Sequence, residues 1–185
     1  MSRTPIGPKQ TRHWPGGFGV GKVSEMRVRA STGPDLPILV SLFTETVHRI
    51  NARDYSPAQI AVWAPREHNW SRWQKRFADL RTLVVELEGQ IAGFASCDER
   101  GYVDLLYVHH EFQGRGVATA LMEEVERQMR GLGLSRAFAD VSILARTFFA
   151  GRGYVVLRQQ WFEKGGVTLT NFAMEKILVC EMIRP

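Results

Sequence analysis

Tyr102 to Val108 is an almost wholly apolar run that leads directly into His109-His-Glu-Phe-Gln113-Gly-Arg-Gly-Val-Ala118. A helical period starts at once: Val117, Leu121, Val125, Met129 and Leu132 recur at steps of four, four, four and three, predicting an amphipathic helix from Gly116 to Arg130. A strand that passes through a glycine-containing loop into such a helix commits the chain to an α/β arrangement, because each element must bury its apolar side against the other. The junction is also an anion site. The first-turn N–H groups of a helix have no intrahelical partner, and the macrodipole adds about half a positive charge there. Gly114 and Gly116 allow a diphosphate to approach the backbone, and Arg115 adds a mobile positive charge. Glu123 with Arg127 and Glu126 with Arg130 read as acid-before-base pairs on the solvated side of the helix.

The remaining pattern extends this unit in both directions. Met26–Ala30 is a short strand, and Asp35 can cap a helix in which Leu36, Leu39, Val40, Phe43, Val47 and Ile50 form the apolar stripe. Pro57–Ala64 and Glu67–Leu80 read as helices. Thr82–Leu87 and Gln90–Cys97 are strands joined by the Glu88-Gly89 turn. After the central helix come a strand at Arg136–Val141, a helix at Leu144–Gly151, and strands at Tyr154–Glu163 and Leu169–Leu178. The predicted fold is a mixed, mostly antiparallel α/β sheet with helices on both faces. A chain of 185 residues suits one such domain, placed at 26–180.

Residues 1–25 differ in kind. Eight of these 25 are Gly or Pro, near the density (about 25–30%) at which a segment without a repeat reads as a flexible extension. They carry +3 of the +5 net charge. Gly-Gly-Phe-Gly-Val-Gly within them has no strand before it and no periodic helix after it, so it does not read as a phosphate loop. A basic bias held in a tail, rather than on one face of the fold, argues against nucleic acid as a partner. No apolar run approaches the length of a membrane span, and Met-Ser-Arg-Thr-Pro is not the start of a secretory signal. A cytoplasmic protein without a membrane partner is expected. Cys97 and Cys180 are too few for a disulfide framework and suit small apolar fillers.

The spacing Gln113-x-x-Gly116-x-Ala118 resembles the signature loop of the GNAT superfamily, acyl-CoA-dependent N-acetyltransferases. Ala145-Arg-Thr-Phe-Phe149-Ala-Gly-Arg-Gly153-Tyr154 is similar to a second segment of that superfamily, a helix beside the pantetheine arm and the departing thiol. Thr46-Val-His48, Asn51-Ala, Asp54-Tyr55-Ser-Pro57, Gln59 and Trp63-Ala-Pro65 are similar to a run in an uncharacterised bacterial subset. The likeness covers about residues 26–178. It implies a GNAT-type fold and transfer of an acetyl group from acetyl-CoA to a primary amine, small-molecule or protein, by direct attack in a ternary complex. It also implies two neighbouring parallel strands, Tyr102–Val108 and Arg136–Val141, that splay around the pantetheine arm. Backbone groups at Leu106, Tyr107 and Val108 would then hold the arm and polarise the thioester. Gln113, Gly114, Arg115, Gly116, Val117 and Ala118 would hold the pyrophosphate, with Phe149 and Arg152 beside the coenzyme. A homodimer through the edge of the final hairpin is a further expectation.

The attacking amine must be neutral, and an amine like Lys titrates at about pH 10.4. By simple alternation Asp104 shares a face with Tyr102 and Leu106, where it is either a base or binder at the cleft or a structural acceptor. Many relatives carry Tyr at the position matched by Phe149, where the phenol can protonate the thiolate. Here Tyr107 or Tyr154 would substitute, or the thiolate would leave unprotonated. His48, Asn51, Asp54 and Tyr55 are the expected acceptor-side contacts, although Asp54–Pro57 is also a sound turn and helix start. Trp63, Trp70, Trp73 and Phe77 suit core packing better than an amine cage. His109 and His110 have no third ligand at suitable sequence spacing, so no metal is expected. A competing reading, kept open by Phe149, is a domain that binds acyl-CoA as a sensor without turnover.

Overall fold

A computed structural model describes residues 25–179; Cys180 and, but for Glu25, the glycine- and proline-rich stretch 1–25 lie outside the described residues. The elements are β1 (Arg27–Ala30), α1 (Leu36–Arg49), α2 (Pro57–Trp63), α3 (Trp70–Ala78), β2 (Arg81–Leu87), β3 (Gln90–Cys97), β4 (Tyr102–Val108), α4 (Val117–Gly131), β5 (Arg136–Val141), α5 (Ala145–Gly151), β6 (Val155–Lys164) and β7 (Val167–Ile177). The strands form one seven-stranded sheet in the order β1-β2-β3-β4-β5-β7-β6. Its pairings are antiparallel apart from β4 with β5. Among the described residues no helix is long and apolar enough to cross a membrane.

Helices cover both faces, and the strand sequences show why. Leu83 and Val85 of β2 face a core built with Leu121, Val125 and Met129 of α4. Val84, between them, faces a second core with Leu39, Phe43 and Val47 of α1. A strand buried on both sides loses the alternation of apolar and polar residues, hence the unbroken Leu-Val-Val run. Gly93 of β3 sets how closely α4 can approach. A Cβ there would lie 2.7 Å from Val117 Cγ1 and 2.9 Å from the Tyr107 carbonyl oxygen.

Asp35 does not cap α1. Its carboxylate turns back to accept hydrogen bonds from the Thr32 N–H (2.7 Å) and hydroxyl (3.0 Å). It also accepts two from the Arg29 guanidinium, at 2.7 and 3.1 Å, while Arg29 Nε donates to Glu86 at 2.7 Å. The start of α1 is thereby tied to β1 and β2. Side-chain partners across the sheet are invisible to a local capping rule, and here the guanidinium wins over the helix end. Glu126 departs from expectation for the same reason. It is 3% exposed, not solvated, and accepts from Lys176 Nζ at 2.7 Å and Arg152 Nε at 3.3 Å. Two cations from β7 and the end of α5 offset the cost of burying that carboxylate. On the solvated side Arg127 pairs with Glu124 rather than Glu123.

Two predictions concern this framework. Gly93→Ala forces Val117 and the start of α4 off β3 and should lower stability by about 1–3 kcal/mol, read from the urea midpoint. Hydrogen bonding from Arg29 holds the Asp35 carboxyl at about 2, below its ordinary 3.8. A depressed folded-state pKa contributes stability above the ordinary value that disappears as pH falls through the folded one. Asp35→Asn should therefore cost on the order of 2 kcal/mol at pH 7. Its difference from the parent chain should close between about pH 4 and pH 2 in urea titrations at stepped pH.

Candidate active site

The parallel ladder between β4 and β5 contains two pairs, Tyr102↔Phe138 and Val103↔Ala139, and then stops. Its cause lies one strand away. The β3–β4 register runs from Ser96↔Leu105 to Cys97↔Val103, leaving Asp104 as an extra residue. Such a bulge bends its strand and adds twist. Beyond it β4 continues along β3 to Gly93↔Val108, while β5 stays with β7 to Val141↔Phe172. The two strands diverge into a fork. A cavity of about 720 Å³ fills it, with Leu106, Tyr107 and Val108 on one wall and Asp140, Val141 and Ser142 on the other.

The bulge also reassigns faces. Val103 packs in the α4 core, Leu105 in the α1 core, and Leu106 against the α4 core again. Asp104 therefore sits on the α1–α3 side, opposite Leu106, whereas alternation from Tyr102 would have put the two together. There it meets Arg76 of α3, which donates from Nε to Oδ2 at 2.6 Å and from Nη2 to Oδ1 at 2.8 Å. Both carboxylate oxygens are committed to that guanidinium. Arg76 was not among the residues singled out from the sequence; it lies three positions beyond Trp73, whose ring it covers at 5.6 Å.

Main-chain direction separates the three β4 residues expected at the coenzyme. His109 N–H donates to the Ala92 carbonyl at 2.8 Å, so alternation turns the Tyr107 main chain toward β3 as well. Leu106 and Val108 are left with main-chain groups facing the fork. The Val108 carbonyl accepts from Gln113 Nε2 at 2.8 Å and Thr46 Oγ1 at 3.2 Å. Tyr107 offers its side chain. The ring sits edge-on to Phe43 at 4.9 Å and stacks on Phe94 at 5.8 Å. Burial pushes its hydroxyl far above the ordinary phenol range, against a smaller opposing contribution from a Trp63 hydrogen bond. The group stays a phenol.

At the mouth of the fork Gly116 takes φ 82°, a left-handed conformation, and no side chain caps α4. The first helical bond runs from Ala120 N–H to the Gly116 carbonyl at 3.0 Å, leaving the N–H groups of Val117, Ala118 and Thr119 ahead of it. Gln113, Gly114, Gly116, Val117 and Ala118 all line the cavity, as expected. Arg115 does not: it donates to Glu88 and lies over the Phe112 ring at 5.1 Å.

Of the four expected acceptor-side residues, Asn51 alone lines the cavity, donating to Ser142 Oγ at 3.5 Å. His48 Nε2 donates to the Ala64 carbonyl at 2.8 Å and so joins α1 to the end of α2. The buried Tyr55 hydroxyl donates to the Thr170 carbonyl at 2.8 Å and accepts from the Ile143 N–H at 3.1 Å. Asp54 is exposed in the turn. His48 and Tyr55 are thus engaged by main-chain groups of neighbouring elements, while Asn51 stands at the cavity wall. Trp63, Trp73 and Phe77 all pack against the α1 core, Trp63 also lines the cavity, and Trp70 is 46% exposed.

Phe149 is buried against the cavity, but Arg152 and Tyr154 point elsewhere. Arg152 is held by Glu126, and Tyr154 is buried edge-on to Phe149 at 5.0 Å, with Lys176 over its ring. Near the loop, Glu45 supplies the third donor that sequence spacing did not show beside His109 and His110, all within 4.8 Å. Arg49 Nη1 already donates to His110 Nε2 at 3.0 Å, and a guanidinium there works against a divalent cation.

The candidate site is thus a fork in one parallel strand pair with a glycine loop and an uncapped helix start at its mouth. The family model described as an acetyltransferase (GNAT) domain matches residues 51–176. An uncharacterized N-acetyltransferase, YafP of Escherichia coli (strain K12), is 32% identical over 152 residues, covering 82% of this chain and 96% of that protein. A GCN5-related N-acetyltransferase structure from Rhodopseudomonas palustris superposes with a TM-score of 0.80 at 30% identity, covering 85% of this chain and 99% of that one. The structure of yncA from Salmonella typhimurium, solved with its cofactor acetyl-CoA, shares the fold at a TM-score of 0.64 and 21% identity, covering 86% and 97%. The chain belongs to the GNAT superfamily of N-acetyltransferases.

Gly116→Val places a β-branched residue at a positive φ in the first turn of the anion site, a strain of about 1–2 kcal/mol. It should weaken acetyl-CoA binding at least about tenfold by calorimetry, with the far-ultraviolet circular dichroism spectrum retained.

Proposed function

We propose that this chain transfers the acetyl group of acetyl-CoA to a primary amine by direct attack within a ternary complex. The parted β4–β5 pair, with an uncapped helix N-terminus at its mouth, carries this reading. The fold shared with yncA, whose structure was solved with its cofactor acetyl-CoA, supports the choice of co-substrate. The N–H groups at the start of α4 receive the pyrophosphate. Fork-facing main-chain groups of Leu106 and Val108 align the arm, and an N–H among them meets the oxyanion that develops as the amine adds. Holding both substrates in one cleft supplies much of the barrier reduction, so no covalent acyl-enzyme is needed.

Between the two readings of Asp104, its bidentate pairing with Arg76 favours the structural one. Between the two candidate phenols, Tyr107 faces the cavity and Tyr154 does not. Tyr107 is therefore the donor to the departing thiolate, in the place that Phe149 cannot fill, while the proton released by the attacking amine passes to water in the open cleft and one returns to Tyr107 from solvent. The required help is modest. A thiol of pKa about 8.5 leaves as thiolate at pH 7 for a penalty of about 2 kcal/mol.

Release of free thiol from acetyl-CoA, followed against a panel of primary amines, tests the proposal. Amine-dependent release is expected. Tyr107→Phe should lower kcat about ten- to thirtyfold, the equivalent of that penalty, with acetyl-CoA affinity within about threefold of the parent. Tight acetyl-CoA binding without release by any amine of the panel would replace the enzyme reading with that of a sensor.

A further inference from the structure

We infer that Asp140 is the counter-ion that seats the acceptor's protonated amine at the fork, making the acceptor an aliphatic ammonium compound. This inference rests on the acetyl-transfer reading and names its substrate class. Asp104 and Asp140 are the first positions beyond the last ladder pair, Val103↔Ala139, one on each diverging strand. Ala139 and Val141 pack in the α4 core, so alternation puts Asp140 on the other face, the side of Asp104 and α3.

The two carboxylates differ in what already holds them. Asp104 is neutralised by Arg76. Among the described residues no Lys, Arg or His lies within ion-pair distance of Asp140. Burial first, and then the nearby Asp140 carboxylate, push the Tyr102 hydroxyl above the ordinary phenol range, so this neighbour carries no charge. One uncompensated negative charge is thus left on the cavity wall, beside the point where the thioester enters. Trp63 and Tyr107 line the same cavity, and aromatic residues are better neighbours for a cation than for an anion. A carboxylate with aromatic neighbours selects an ammonium over a neutral amine or a carboxylate-bearing end. Asp140 lies outside every motif in the sequence, on a short strand that also carries Arg136. Aligning the two predicted parallel strands in register would have paired it with Asp104.

The test does not depend on knowing the acceptor. S-(2-aminoethyl)-coenzyme A places an ammonium two carbons beyond sulfur, and S-propyl-coenzyme A places a methyl there. Calorimetry at low ionic strength should show the parent chain binding the aminoethyl compound at least about tenfold more tightly than the propyl one. Asp140→Asn should abolish that preference, Asp140→Glu should retain part of it, and the propyl affinity should be the same in all three. Asp140 is exposed, and an unchanged propyl affinity shows that the variant is folded. A parent chain that binds both analogues equally, or a preference that survives Asp140→Asn, overturns the inference and leaves the acetyl-transfer reading standing. Failure of the parent chain to bind either analogue overturns both.

Discussion

The site exists because one extra residue in β4 breaks a ladder. With Asp104 bulged out of register against β3, β4 and β5 share two pairs and then separate. The cavity follows from that parting: main-chain groups with no strand to pair with, a space of about 720 Å³, and one acid on each strand, Asp104 and Asp140, just past the last ladder pair. The open edges would be costly in water-free surroundings. Part of that cost is met from within, since Thr46 and Gln113 both donate to the Val108 carbonyl. A coenzyme arm lying in the gap would satisfy the rest.

Charge is distributed along the cleft in a matching way. The uncapped start of α4 presents partial positive charge at one end. Asp140 presents a full negative charge where the strands part. Between them lie Leu106, Val117 and Phe149, an apolar stretch suited to a pantetheine arm. The helix that carries the positive end is itself anchored, because Glu126 draws Arg152 and Lys176 onto its buried flank. Gly93 lets Val117 sit against β3, fixing the first turn relative to the fork. The geometry of this helix start is thus set by packing at positions well outside it.

Much of this was legible in the order of residues. Periodicity located the helices and strands to within a few positions, because apolar residues at steps of three and four line up on one side of a helix and scatter over both sides of a strand. The loop from Gln113 to Ala118 was legible as the start of a helix without a side-chain cap, since the physics of a helix start is local. What failed was whatever depended on a partner distant in sequence. The bulge at Asp104 cannot be seen without the β3 register, and it reversed the face assigned to Leu106. Glu126 looked solvated because i,i+4 spacing says nothing of Lys176, fifty positions on. His48 and Tyr55 were expected to contact the acceptor, yet main-chain groups of Ala64, Ile143 and Thr170 hydrogen-bond them. Polar groups of a partly buried edge find main-chain partners more often than substrates.

A crystal structure with coenzyme A bound addresses the central claim most directly. The account predicts pyrophosphate oxygens within hydrogen-bonding distance of the main-chain N–H groups of Val117, Ala118 and Thr119, and the sulfur lodged between Leu106 of β4 and Val141 of β5. A coenzyme bound elsewhere on the surface, with β4 and β5 closed against each other, would contradict it.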